Sequence, residues 1–199
     1  MSEPGGQPTL DPDLVLNAYS GGYFPMANAK TGTISWYSPD PRAIIPLDAF
    51  RVPRSLRQTI RRHPFEIRID TAFSDVIRGC ARGRETWISD QIIEVYTALH
   101  LRGYAHCVES WRGERLMGGL YGVTIGGAFF GESMFSIASN ASKVALVFLV
   151  ELLRLRHFLL LDTQFMNEHL KQFGTIEIRR SAYLNELSAA LRVDTDFFR

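Results

Sequence analysis

Cysteine is nearly absent from this chain, with only Cys80 and Cys107 among 199 residues. They have apolar neighbours and no Cys-x-x-Cys spacing, which excludes a disulfide framework and reads as two buried thiols in a reducing cytoplasm. Histidine is sparse too. His63, His100, His106, His157 and His169 never pair at three or four residues, so a helical zinc site is excluded and no metal is expected. No apolar run approaches about 18 residues and the N-terminus has no apolar signal core, so neither membrane spanning nor secretion is expected. Charge of one sign is also lacking: 22 Lys and Arg against 21 Asp and Glu give a formal net charge of +1. A general basic field is therefore excluded, and any nucleic acid must meet a local patch.

What is present is an ordinary globular composition, 46% hydrophobic and 22% charged, long enough for one full core with a small extension. Disorder is expected only at the Gly/Pro-rich start, Met1 to Pro8. A short helix fits Asp11 to Ser20, stopped by Gly21-Gly22. Pro25, Pro39, Pro41, Pro46 and Pro53 then forbid long helices, which predicts a small irregular N-terminal subdomain over residues 1–63. From residue 64 the rhythm is regular. Phe65 to Ile69 alternates as a strand, Thr71 is placed to cap a helix carrying Phe73, Val76 and Ile77, and Asp90 to Arg102 reads as a second helix. Three meander strands follow at Ala105 to Trp111, Leu116 to Thr124 and Ala128 to Phe135. Ser139 or Asn140 would cap a helix from Ala141 to Arg154 that is apolar almost all round and hence central. A strand (Leu159 to Gln164), a short helix (Met166 to Phe173), a strand (Ile176 to Ile178) and a helix (Ser181 to Leu191) complete the order. That order is α/β (α+β), an acetyltransferase-like (GNAT-like) mixed sheet over residues 64–199.

Two strands end in polar groups. Asp162 and Gln164 close the run Phe158 to Leu161 and, at strand period, share one face with Cα atoms about 6 to 7 Å apart. Glu132-Ser133 likewise follows Ala128 to Phe130. A buried carboxylate beside an amide is costly unless each satisfies the other or a ligand does. Two readings stay open: a site, or a helix cap with a loop hydrogen bond. A coenzyme A site would need a glycine-containing loop before the central helix, and Ser136 to Ala141 has none. A nucleophile elbow is excluded by the missing second glycine around Ser133.

Five segments in order carry a resemblance: Gly21 to Met26, Trp36 to Arg42, Gly131 to Ser136, Asn140 to Lys143, and Asp162 to Gln164 with Asn167 and His169. Together, from about Leu14 to Tyr183, they resemble the leucyl/phenylalanyl-tRNA–protein transferases. Two positions depart from that family's pattern, Ile137 where an arginine is common and Met26 where an aromatic often stands.

The resemblance implies a cytoplasmic, monomeric enzyme that moves leucine or phenylalanine, with methionine as a further candidate, from aminoacyl-tRNA to an N-terminal Arg or Lys, marking the acceptor for degradation. It implies no cofactor, since attack of an amine on an ester is downhill. It assigns Gln164 to accept from the attacking amine. Asp162 would hold the Gln164 amide and take up proton density; in the alternative, Asp162 only fixes the loop and the substrate's own hydroxyl shuttles the proton. Leu120, Phe129 and Phe148 become walls of the donor slot, Glu132 an attractor of the acceptor cation, and Asn167 a substrate contact. Arg54, Arg61 and Arg62, within an arginine stripe of helical spacing, become tRNA contacts, and Trp87 a platform for the terminal adenine. The plain readings beside these are core packing for the apolar residues, a solvated face for the arginines and a cross-sheet hydrogen bond for Glu132. The competing functions are an acetyl-CoA-dependent N-acetyltransferase, resting on element order alone, and a silent tRNA-binding module.

Overall fold

The computed structural model describes residues 10–82 and 86–198. The disorder expected for Met1 to Pro8 lies outside the described residues. Helix α1 (Pro12–Ser20) starts where Asp11 accepts a hydrogen bond from the Asp13 N–H and ends at Gly21. A hairpin of β1 (Phe24–Ala27) and β2 (Ile34–Tyr37) follows. Next come β3 (Arg42–Ile44), a single 3₁₀ turn (Leu47–Ala49), and α2 (Arg54–Arg61), which buries Leu56 and exposes its arginines.

From β4 (Glu66–Ile69) the order matches the pattern read from the sequence: α3 (Phe73–Cys80), α4 (Asp90–Leu101), β5 (Ala105–Arg112), β6 (Arg115–Ile125), β7 (Ala128–Ser136), α5 (Ala141–Leu155), β8 (Leu160–Gln164), α6 (Glu168–Lys171), β9 (Ile176–Ile178) and α7 (Arg180–Ala190). Thr71 does not cap α3. The Glu109 carboxylate does so from β5, accepting the Thr71 and Ala72 N–H groups at 2.7 Å each. It thereby satisfies donors that begin the helix, at the end where the helix dipole favours an anion. Nor does the Asn140 side chain cap α5; Ser136 does, its Oγ accepting the Ser142 N–H at 3.0 Å.

Seven strands form one mixed sheet in the order β4-β5-β6-β7-β8-β3-β9, with β7 and β8 parallel and every other pairing antiparallel. The parallel pair is linked through α5, as a parallel pairing requires a crossover. Strand β3 was not legible: it inserts between β8 and β9 as three residues after a proline. β3 belongs to the main sheet, and Val15, Tyr19 and Phe24 lie in the same buried cluster as Val76, Tyr96 and Phe130. A second cluster on the other face is built on α5, with Leu146, Leu149 and Leu153 against Leu120 and Phe129.

Two features of the sheet position the site. Pairing of β7 with β8 runs only from Ala128–Leu160 to Phe130–Asp162, after which β7 stays with β6 and a cleft opens. In the β6–β7 register Tyr121 opposes Ser133 and Gly122 opposes Gly131, so Glu132 is the extra residue of a bulge. Bulges re-aim a side chain, and this one sits at the mouth of the cleft.

Candidate active site

The cleft holds a cavity of about 270 Å³. Its lining combines apolar side chains, among them Leu120, Met134, Leu146, Leu149, Leu161 and Leu170, with the polar Glu132, Ser133, Thr163, Gln164, Asn167 and His169. A second cavity of about 330 Å³, containing Ser139, Asn140 and Lys143, adjoins it and shares Met134 and His169 as walls.

The Glu132 carboxylate is held from three directions. Tyr19 Oη donates to Oε1 at 2.6 Å, Tyr96 Oη donates to Oε2 at 3.2 Å, and Gln164 Nε2 donates to Oε1 at 3.2 Å. Burial penalises its charged form more than the two tyrosine hydrogen bonds favour it, which raises its pKa from 4.5 to about 7. A carboxylate poised near neutrality is suited to exchange a proton with an amine.

Behind this layer lies an ion pair that no solvent reaches. Arg42 and Asp162 are both 0% exposed, and Arg42 Nε and Nη2 donate to Asp162 Oδ1 and Oδ2 at 2.9 and 2.6 Å. Tyr183 Oη donates to Oδ2 at 2.8 Å and the Gln164 N–H to Oδ1 at 2.9 Å. Arg42 Nη1 donates to the Gly22 carbonyl at 3.0 Å, and the guanidinium lies over the Phe24 and Tyr183 rings. Burial opposes the Arg42 charge, but the hydrogen bonds and field of Asp162 outweigh it and raise its pKa. Each Asp162 oxygen thus accepts two hydrogen bonds, and the pair anchors β3 to β8 and α7. It also holds Gln164 in the left-handed region at φ 58°, a conformation costly for a non-glycine residue.

The sequence model of the family described as "Leucyl/phenylalanyl-tRNA protein transferase" matches residues 44–188, and that of its N-terminal domain matches residues 9–40. The chain belongs to this family. Three relatives called leucyl/phenylalanyl-tRNA–protein transferase give the measure of the likeness. The one from Salinibacter ruber is 53% identical over 189 residues, covering 95% of this chain and 84% of the relative. That from Gloeobacter violaceus is 53% identical over 189 residues (95% and 98%). That from Chlorobaculum tepidum is 51% identical over 181 residues (89% and 93%).

Within this transferase fold the expected site residues divide. Gln164, Glu132, Leu120 and Asn167 meet at the cavity, and Asn167 also caps α6 by accepting the Leu170 N–H at 2.9 Å. Asp162 does not reach the cavity and does not hold the Gln164 carboxamide. It accepts the backbone N–H of Gln164, while the carboxamide is held by Glu132. Phe129 is fully buried and stacks on Phe197 instead of facing the cavity. Phe148 points away, into a groove on the far side of α5, and Leu149 takes the wall position expected of it. Trp87 is half-buried against the core beside β1, where its carbonyl accepts the Ala27 N–H, and does not line the cavity. Arg54 and Arg61 share a trough on α2 with Arg57; Arg62 is exposed at the C-terminal end of that helix.

Tyr19, Tyr96, Arg42 and Tyr183 were missed. The available signal was a tyrosine on the otherwise apolar inner face of α1, α4 and α7. For Arg42, no periodicity could be read in three residues. Burial pushes the Cys80 thiol up to about 12 and raises that of Cys107 further, which disfavours the nucleophilic thiolate at both. Among the described residues no group of three His, Cys, Asp or Glu could hold a metal, and no helix is long and apolar enough to cross a membrane.

Proposed function

We propose that this chain transfers leucine or phenylalanine, with methionine as a further donor, from aminoacyl-tRNA to the N-terminal Arg or Lys of acceptor proteins. It acts as a cytoplasmic monomer that marks those proteins for degradation. The observation carrying this reading is one cavity whose lining joins a set of apolar side chains to a carboxylate and a carboxamide that are hydrogen-bonded to each other, in a chain of this family. The donor side chain lies among Leu120, Leu146 and Leu149. There a single methylene changes binding by only about 1–3 kcal/mol, so β-branched side chains are rejected by shape.

Gln164 Nε2 is engaged by Glu132, which leaves Gln164 Oε1 to accept from the attacking amine. The amine nitrogen attacks the ester carbon, its proton passes to ionised Glu132, and the ester C–O bond breaks as the tRNA 3′ oxygen leaves with that proton, which Glu132 returns. An α-amino group has a pKa of about 7.7–8.0, so on the order of a tenth is neutral at pH 7 and modest base strength suffices. Asp162 has no lone pair to spare for this proton; its part is to fix the turn that aims Gln164. Positioning of ester and amine supplies much of the rate.

The fold is read as acetyltransferase-like, supported by the parallel β7–β8 pair that separates beside the N-terminus of α5. Acetyl transfer from coenzyme A is the lesser reading: the loop before α5 lacks glycine, and one N–H of its first turn is already taken by Ser136. Incubation with labelled leucyl-tRNA and a peptide beginning with Arg is expected to yield labelled peptide. Acetylation from acetyl-CoA with no transfer from charged tRNA would overturn the assignment, as would tRNA binding without transfer.

A further inference from the structure

A concavity that the proposed reaction does not use lies on the far side of α5 from the reaction cavity, between that helix and α2. Its volume, about 670 Å³, falls in the range of small-ligand clefts, roughly 300–1,000 Å³. Phe65 and Val147 form its floor, and Phe148 stands in it 36% exposed, where a large aromatic on a central helix would ordinarily be covered. One rim is cationic. Arg57 and Arg61 are exposed, four residues apart on α2, and neither belongs to an ion pair among the described residues. Glu151 is the one acid in the lining, on α5. The same two arginines form, with Arg54, the trough that runs along the outside of α2.

An exposed ring beside two unpaired guanidiniums matches a nucleotide: the base stacks on the ring and a phosphate takes the fork of an arginine. A plain apolar peptide segment would leave the arginines unanswered, and an acidic one would leave the aromatic floor uncovered. We infer that the α2–α5 groove, with Phe148 as its platform and Arg57 and Arg61 as its phosphate clamp, binds an unpaired nucleotide of the donor tRNA outside the reaction cavity. This rests on the proposed function. It makes α5 the partition between the acyl group on one face and a nucleotide contact on the other. Phe148 is thereby placed in donor recognition through the RNA and not through the amino acid.

The test compares leucyl-tRNA with a minimal leucyl-adenosine donor, both with an Arg-initiated peptide. Phe148→Ala is expected to raise the KM for leucyl-tRNA at least about five-fold, the lower end of base–aromatic stacking. Phe148→Tyr retains wild-type KM, and transfer from leucyl-adenosine changes less than two-fold in both variants. Arg57→Ala weakens leucyl-tRNA binding and lowers its salt slope by about 0.7, one single-strand phosphate contact. An unchanged KM for leucyl-tRNA in Phe148→Ala overturns the inference, as do equal losses on both donors. A shift confined to the acceptor KM would assign the groove to the polypeptide and overturn it as well. Filter retention of leucyl-tRNA reads the same contact directly, so absent transfer by the wild type would sink the proposed function while the groove is still judged by binding.

Discussion

Removing the Arg42 guanidinium tests whether the buried pair is scaffold. Arg42→Met keeps most of the volume but leaves the Asp162 carboxylate, 0% exposed, with two hydrogen-bond donors in place of four: the Gln164 N–H and Tyr183 Oη. The Gly22 carbonyl loses its donor as well. Breaking a buried pair from one side leaves an uncompensated charge and costs about 3–5 kcal/mol. With a urea m-value of roughly 2 kcal/mol/M, the unfolding midpoint should fall by about 1.5–2.5 M without a change of slope. Asp162→Asn alone should also destabilise, since a neutral amide cannot accept both arginine hydrogen bonds. The double variant should cost less than the sum of the two by about 0.5–3 kcal/mol, the coupling expected of contacting residues. A loss below 1 kcal/mol for Arg42→Met, or strict additivity in the cycle, would refute the reasoning that this pair holds β3, β8 and α7 together.

Other perturbations follow from the same geometry. Tyr121 Oη is buried beside Glu132 without a hydrogen-bond partner among the described residues, and an unsatisfied hydroxyl costs about 1–3 kcal/mol. Tyr121→Phe should therefore raise stability by about 1 kcal/mol in urea unfolding; a comparable loss would show the hydroxyl to be satisfied. The Glu132 pKa stands at about 7 in the folded chain against 4.5 for the free group, so the folded state binds the proton more tightly. Stability should thus decline as pH rises from about 4.5 to 7 and level off above, by up to about 3 kcal/mol. Glu132→Gln should flatten that decline, and an unaltered pH–stability curve would contradict it. Arg54→Ala should weaken leucyl-tRNA binding with little effect on leucyl-adenosine transfer; equal losses on both would discredit the α2 contact.

The sequence revealed the regular half of this molecule because burial imprints itself as periodicity. Alternation marked β4 to β7, and an almost wholly apolar helix marked α5 as central. The acids and amides that interrupt β7 and β8 pointed to the cleft. Periodicity carries no information about the rest. An α5 that is apolar all round does not say which face lines the cavity, and the wall that the resemblance assigns to Phe148 is provided by Leu149. Strand β3 is three residues long, and Arg42 finds its partner 120 positions away, a distance no local pattern encodes. Alternation also suggested that Asp162 and Gln164 work as a couple. The bulge at Glu132 and the left-handed turn at Gln164 break that alternation, and they join the carboxamide to Glu132 while Asp162 stays behind with Arg42.

In the proposed reaction the proton of the attacking amine goes to Glu132. The most direct measurement is kcat/KM for leucyl transfer to an Arg-initiated peptide, from pH 5.5 to 9, for the wild type and Glu132→Gln. The ratio of the two rates cancels the amine's own titration. That ratio should rise with pH through an inflection near 7 and reach a plateau above it; a ratio that stays flat across the range would contradict the claim.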